Sequence, residues 1–214
     1  MPGKEQEQDR TPVLRLASAS PRRRQLLDLI GVPHVVTPAD IDETPLTAEP
    51  PNEYVLRLAR EKAEAVWARH DDLPVLAADT TVVVDDEILG KPESEAEAHA
   101  MLGKLSGRAH MVHTAVALWS EEHQMLFHTS TQVCFAQLTT EEIHAYWETG
   151  EPQGKAGAYA IQGLGAAFVT GISGTYTGVM GLPLFETAHL LRQAGIPVWG
   201  GRLPAKIGEI EGAD

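Results

Sequence analysis

Short apolar runs alternate along this chain with longer segments of helical periodicity, and that alternation predicts an α/β fold. Val13 to Ala17 reads as a strand. A helix follows, with Ser20 as N-cap, Pro21 as its first residue, Leu26, Leu27 and Ile30 along it, and Gly31 as its stop. His34 to Thr37 reads as a second strand. A helix capped by Asn52 and reaching Arg69 puts Val55, Leu58, Ala59, Ala63 and Val66 on one face. Next, an apolar run from Val75 to Ala78 delivers Asp79 at its end. A β-branched run from Val82 to Val84, a turn at Asp85-Asp86 and a return strand to Lys91-Pro92 complete a hairpin that can bring Asp79 and Lys91 toward one another.

In the second half, a capping box at Ser94-x-x-Glu97 opens a third helix. His110 to Trp119 and Met125 to Leu138 alternate as two antiparallel strands turning near Glu121-Glu122. Thr139-x-x-Glu142 is a second capping box, opening a helix that ends at Gly150. Ala166 to Ile172 reads as another strand, and Val179 to Pro183 leads into a last helix ended by Gly195. Nothing in the middle has the composition of a linker. Residues 13–200 therefore read as one domain, between a polar tail over 1–12 and a loose tail over 201–214.

Composition narrows the partners. With 214 residues and 43% hydrophobic content the chain can bury a substantial core. A formal net charge of −13 argues against a nucleic-acid polymer, which needs a broad basic surface, but leaves room for a small anion in a locally positive pocket. One cysteine, Cys134, excludes an internal disulfide framework, fits a reducing compartment, and reads as a packed core residue rather than a nucleophile. The N-terminus lacks the apolar segment of a signal peptide, and no run reaches membrane-span length, so the expectation is a cytoplasmic protein without a membrane partner.

Three stretches carry candidate chemistry. Arg22, Arg23 and Arg24 occupy the first turn of a helix, where cations oppose the helix dipole; the turn either cradles an anion or is simply a solvated basic turn. Asp40, Asp42 and Glu43 lie in an acidic loop that can hold a hydrated divalent cation, although such loops are more often only solvated. The glycines from Gly157 to Gly165 indicate close backbone approach or tight turns, and Gln162 among them is either a reader of a base edge or a satisfied turn amide. His110 and His113 are poor co-ligands, because strand residues three apart face opposite ways. No dinucleotide fingerprint, Walker A sequence or Gly-x-Ser-x-Gly elbow is present.

Seven short motifs in order resemble the Maf family of nucleotide pyrophosphatases: Ser18-Ala-Ser-Pro-Arg-Arg23, Arg57-Leu-Ala-Arg-Glu-Lys62, Ala78-Asp-Thr-Thr-Val82, Gly90-Lys-Pro92, Lys104-Leu-Ser-Gly107, Gly157-Ala-Tyr-Ala-Ile-Gln-Gly-Leu-Gly165 and Gly181-Leu-Pro183. The resemblance spans about Leu14 to Gly195. It implies a Maf/ITPase-like α/β fold, with a bent mixed sheet flanked by helices, a cleft between two lobes, and commonly a homodimer. It also implies hydrolysis of nucleoside triphosphates to monophosphate and diphosphate with Mg²⁺ or Mn²⁺. On this basis Asp79 would be the general base and, with Glu43, would hold the metal. Arg22, Arg23, Lys62 and Lys91 would bind the triphosphate. Arg22, Thr80 and Gln162 would set specificity, in the pattern of the branch that prefers dTTP and UTP. The rival readings are a pyrophosphatase for modified purine or methylated guanosine nucleotides, and a nucleotide-binding regulator of cell division.

Overall fold

One ten-residue strand, β3 (Val75–Val84), organises the computed structural model, which describes residues 11–201. The tails expected over 1–12 and 201–214 fall almost wholly outside the described residues. Around β3 lie β1 (Leu14–Leu16), β2 (His34–Val36), β4 (Glu87–Leu89), β5 (Ala109–Trp119), β6 (Gln124–Phe135) and β7 (Val169–Ser173). They form a seven-stranded mixed sheet in the order β2-β1-β3-β5-β6-β7, with β4 also paired to β3. The helices flanking it are α1 (Pro21–Leu29), α2 (Pro51–Trp67), α3 (Glu95–Leu105), α4 (Thr140–Glu148), α5 (Tyr176–Met180) and α6 (Leu184–Gln193).

The two edges of β3 differ, and the difference creates the cleft. Along one edge β5 pairs continuously, from Val75 opposite Trp119 to Val83 opposite Met111. Along the other, β1 pairs in parallel only at Val75 and Leu76, and β4 pairs antiparallel only over Val82 to Val84. Between those partners, Ala77 to Thr81 have no strand neighbour on that side among the described residues. Asp79 therefore lies mid-strand rather than at a strand end as the apolar run suggests. The ladder to β5, with Asp79 opposite Ala115 and Thr80 opposite Thr114, keeps the chain extended through the polar residues.

Strand alternation then distributes three apolar clusters about β3. Leu76 and Ala78 pack with Leu14, Leu16, Leu27 and Leu191 from β1, α1 and α6. Val75 and Ala77 face Val55, Ala59, Ala63 and Val66, the apolar stripe of α2. Val82 and Val84 join Leu102, Leu105, Ile143 and Tyr159 in the second lobe. The lobes share β3, β5 and β6, and part where β3 lacks a neighbour. Among the described residues no helix is long and apolar enough to cross a membrane.

Ser20 is the N-cap of α1 and Pro21 its first residue, as expected, although the Ser20 side chain makes no capping hydrogen bond. Several other local expectations need correction. Helix α2 begins at Pro51, with Pro50 in the N-cap position, so Asn52 lies inside the first turn. Ser94 does cap the amide of Glu97, but the Glu97 carboxylate accepts from the Glu93 amide, leaving the box incomplete. The box at Thr139 and Glu142 is complete. Strand β6 stops at Phe135, where its pairing with β7 shifts register, and β7 starts only at Val169, after a 3-10 turn over Leu164–Phe168. Cys134 is half-buried rather than core, because Val133 and Phe135 on either side of it point inward.

The glycine-rich segment is fastened to the β3–β4 hairpin at Gly157. Its amide donates to the Gly90 carbonyl at 3.0 Å, its φ is +65°, and a Cβ there would come within 2.9 Å of Val82 Cγ1. Gly157→Ala should cost about 2 kcal/mol or more, from left-handed strain and overpacking together. Urea denaturation checks this, and a loss within about 0.5 kcal/mol, the range of a neutral surface change, would contradict it.

Candidate active site

The unpaired stretch of β3 forms the floor of a cavity of about 580 Å³, in the size range of small-molecule sites. Because the strand edge is open there, residues from both of its faces line the cavity, including Asp79, Thr80 and Thr81. Five cationic side chains (Arg22, Arg23, Lys62, Lys91 and Lys155) and three carboxylates (Asp40, Glu43 and Asp79) also line it. A local excess of positive charge thus sits within a chain of net charge −13.

The innermost group is a lysine between two acids. On α2, Lys62 lies four residues after Leu58 and three after Ala59, in phase with the apolar stripe, so helix geometry turns it inward. Lys62 and Asp79 are each only 7% exposed. The Lys62 ammonium donates to Asp79 Oδ1 at 2.7 Å and meets Glu43 Oε1 at 2.8 Å. Burial raises the pKa of Asp79 above the ordinary aspartate range, although Lys62 and Arg23 act against the rise. Burial acts in the same direction on Glu43, but Lys62, Lys91 and Arg23 outweigh it and leave that carboxyl below its usual range.

A second group fixes the arginines. The first α-helical hydrogen bond of α1 runs from the Arg24 amide to the Ser20 carbonyl, so the amides of Arg22 and Arg23 have no acceptor inside the helix. Arg22 Nε donates to the Met180 carbonyl at 3.3 Å and Arg23 Nε to the Gly181 carbonyl at 2.9 Å. The Arg23 fork continues to Ser18 Oγ at 3.2 Å and Thr80 Oγ1 at 3.3 Å. All of these acceptors are neutral, so the guanidiniums are positioned without a hydrogen-bonded carboxylate to cancel their charge; burial lowers both pKa values. Thr114 Oγ1 spends its proton on the Gly178 carbonyl at 2.8 Å. Its 3.0 Å contact with Thr80 therefore has Thr80 as donor, leaving the Thr80 oxygen to accept from Arg23.

The family model for Maf-like protein matches residues 13–194. This chain belongs to the Maf family. It is 56% identical over 187 residues to the dTTP/UTP pyrophosphatase of Methylobacillus flagellatus, covering 86% of this chain and 94% of that protein. The dTTP/UTP pyrophosphatase of Symbiobacterium thermophilum is 52% identical over 186 residues, covering 87% and 96%. Among solved structures, the Staphylococcus aureus Ham1 protein covers 57% of this chain and 71% of its own, at TM-score 0.41 and 17% identity.

On this Maf scaffold, every residue singled out by the family resemblance lines the one cavity: Arg22, Arg23, Glu43, Lys62, Asp79, Thr80, Lys91 and Gln162. Of the three arginines, Arg24 is exposed and does not line it. Asp40 reaches the cavity, whereas Asp42 accepts from the amide and hydroxyl of Thr44 and shapes its own loop. Arg57 is engaged by Glu49 and Glu61. His110 is buried against Tyr159 and Phe135, with burial pushing its pKa down to about 4, while His113 stacks on His128. The two histidines thus make separate sets of contacts. Lys155 and Tyr54 also line the cavity, and the Met180 and Gly181 carbonyls tether the arginines. Of these only Lys155 has a mark in the sequence, as a cation leading into the glycine-rich segment.

Opposite shifts in two neighbouring acids can be measured directly. In a carbon-detected NMR titration Asp79 should protonate at a higher pH than Glu43, reversing the ordinary order of about 3.9 for aspartate and 4.3 for glutamate. The stability terms run accordingly. That of Asp79 is full below its unfolded pKa and lost as pH rises through the raised folded value; that of Glu43 is lost as pH falls through its lowered one. Finding Glu43 to titrate above Asp79 would contradict this electrostatic reading.

Proposed function

We propose that this protein hydrolyses dTTP and UTP to the nucleoside monophosphate and diphosphate, with Asp79 as general base. The observation that carries the reading is a buried carboxylate, held by Lys62, in the same cavity as Arg22, Arg23, Lys91 and Lys155. An acid at the floor of a cationic cradle suits attack on a phosphoanhydride, where negative charge builds on the leaving group. The names of the relatives supply the pyrimidine triphosphates.

In this reading Asp79 accepts a proton from water as the water oxygen bonds to the α-phosphorus. The bond from that phosphorus to the bridging oxygen breaks in line, and its electron pair leaves with diphosphate. Arg22 and Arg23 present guanidinium nitrogens to the phosphates, their Nε atoms being tethered to backbone. Lys91 and Lys155 add positive charge to the cavity lining. Gln162, exposed on the cavity wall, offers one donor and one acceptor to the mixed edge of uracil or thymine.

Asp79 and Glu43 also fit a divalent cation. One ammonium already bridges Oδ1 and Oε1, and each carboxylate keeps a second oxygen for another partner. Paired carboxylates completed by phosphate oxygens suit Mg²⁺ or Mn²⁺. When bound, the ion would supply Lewis-acid neutralisation of phosphate charge.

Asp79→Asn should lower dTTP and UTP hydrolysis by about 10²- to 10⁴-fold, the usual loss on removing a general base. Diphosphate release with Mg²⁺ or Mn²⁺ is the assay, with nucleotide binding measured in parallel. Activity within a few-fold of wild type would overturn the assignment.

A further inference from the structure

The glycines of the Ala160–Gly165 turn are explained by two side chains outside the cavity. A Cβ on Gly163 would collide with the Glu151 carboxylate, and one on Gly165 would lie 2.7 Å from Tyr146 Oη. These contacts belong to a closed hydrogen-bond clamp. The Ala160 amide donates to Tyr146 Oη at 3.1 Å, and that hydroxyl donates to Glu151 Oε1 at 2.7 Å. The same Oε1 accepts from the Gly165 amide at 2.9 Å, and Oε2 from the Leu164 amide at 2.9 Å. The two ends of the turn are thus tied to one carboxylate. At its apex Gln162 is exposed and lines the cavity, whereas Glu151 and Tyr146 do not.

We propose that Glu151, acting with Tyr146, is a positioning residue that sets the orientation in which Gln162 meets the base. The inference rests on the reading that Gln162 contacts the base. An amide carries a donor and an acceptor side by side, so by rotating or shifting it can serve uracil, with its N3–H and carbonyl, or cytosine, with its N3 acceptor and amino group. Chemistry alone does not choose between them; a fixed turn does. Glutamate suits the task because an ionised carboxylate is acceptor-only and here receives three donors, one from Tyr146 and two from backbone. Burial works against its ionisation, but the Gly165 and Leu164 amides outweigh it and hold its pKa below the usual range. The ring of Tyr146 is anchored in turn by edge-to-face packing on Phe168, 5.0 Å between centroids.

A double-mutant cycle tests this on the full chain, reading kcat and KM for UTP and CTP by diphosphate release. Glu151→Ala and Gln162→Ala should each lower the UTP-over-CTP ratio of kcat/KM about tenfold, within the cost of losing a fixed geometry, and mainly through KM. Because one residue acts through the other, the double variant should be no less selective than Gln162→Ala alone. Tyr146→Phe keeps the buried ring and removes only the hydroxyl; it should lower the ratio in the same direction, and it carries the comparison if Glu151→Ala does not fold. Unchanged selectivity in Glu151→Ala and Tyr146→Phe beside a collapse in Gln162→Ala would overturn this inference alone, as would additive losses in the double variant. Unchanged selectivity in Gln162→Ala would instead overturn the base-reading role and this inference with it.

Discussion

A lysine set into the apolar face of a helix stays charged only if an anion comes to meet it, and the site depends on that constraint. Lys62 shares its face of α2 with Leu58, Ala59, Ala63 and Val66, and its ammonium closes on Asp79 and Glu43. Taking both charges from water costs several kcal/mol per ion, and leaving either without its partner costs about 3–5 kcal/mol. The pair is therefore a poor source of net stability. What it provides is position: α2 and β3 cannot slide without stranding a buried charge. It also opposes the burial that raises the Asp79 pKa above the ordinary aspartate range.

The topology of β3 turns that fixed acid into an accessible one. A strand paired along both edges would bury Asp79 without a cavity above it. Here β1 stops at Leu16, opposite Leu76, and β4 stops at Leu89, opposite Val82, so the five residues of β3 between them lack a strand neighbour on that side among the described residues. The strand stays extended because β5 pairs with it from Val75 to Val83. Asp79 and Thr80 point to opposite faces yet line the same space. Thr80 and Thr114 then link this floor to Arg23 and to the Gly178 carbonyl, and the adjoining Met180 and Gly181 carbonyls hold both arginines by their Nε atoms. The turn before Leu182 serves to aim the arginines.

Much of this was legible in the residues, for physical reasons that differ from element to element. The strong periodic segments, α2 above all, follow directly from the spacing of Val55, Leu58, Ala59, Ala63 and Val66. The same spacing puts Lys62 in phase with that face, but Arg57, Arg60 and Lys62 together read mostly as surface charges, and its burial is a finding of the structure. Asp79 read as a strand end because polar residues interrupt the apolar run; only the pairing of β5, a distant segment, keeps the strand going. Ser20 and Pro21 open α1 as their residue types dictate, whereas Asn52 lost the N-cap position because Pro50 and Pro51 set the start of α2. The glycines of 163 and 165 announced close approach, but Glu151 and Tyr146, which make that approach, come from a separate element and left no local mark. Backbone acceptors such as Gly181 have no side-chain signature at all.

The role proposed for Lys62 is to oppose the burial that raises the Asp79 pKa, and so to favour the base form of that acid; the pH dependence of kcat/KM for dTTP in wild type and Lys62→Met tests it most directly. Removing a cation in contact with the acid should move the acid limb upward by about 1–3 pH units, the size of shift that an adjacent opposite charge produces. An acid limb that stays in place while the overall rate falls would mean that Lys62 binds phosphate without governing Asp79, and would contradict the account.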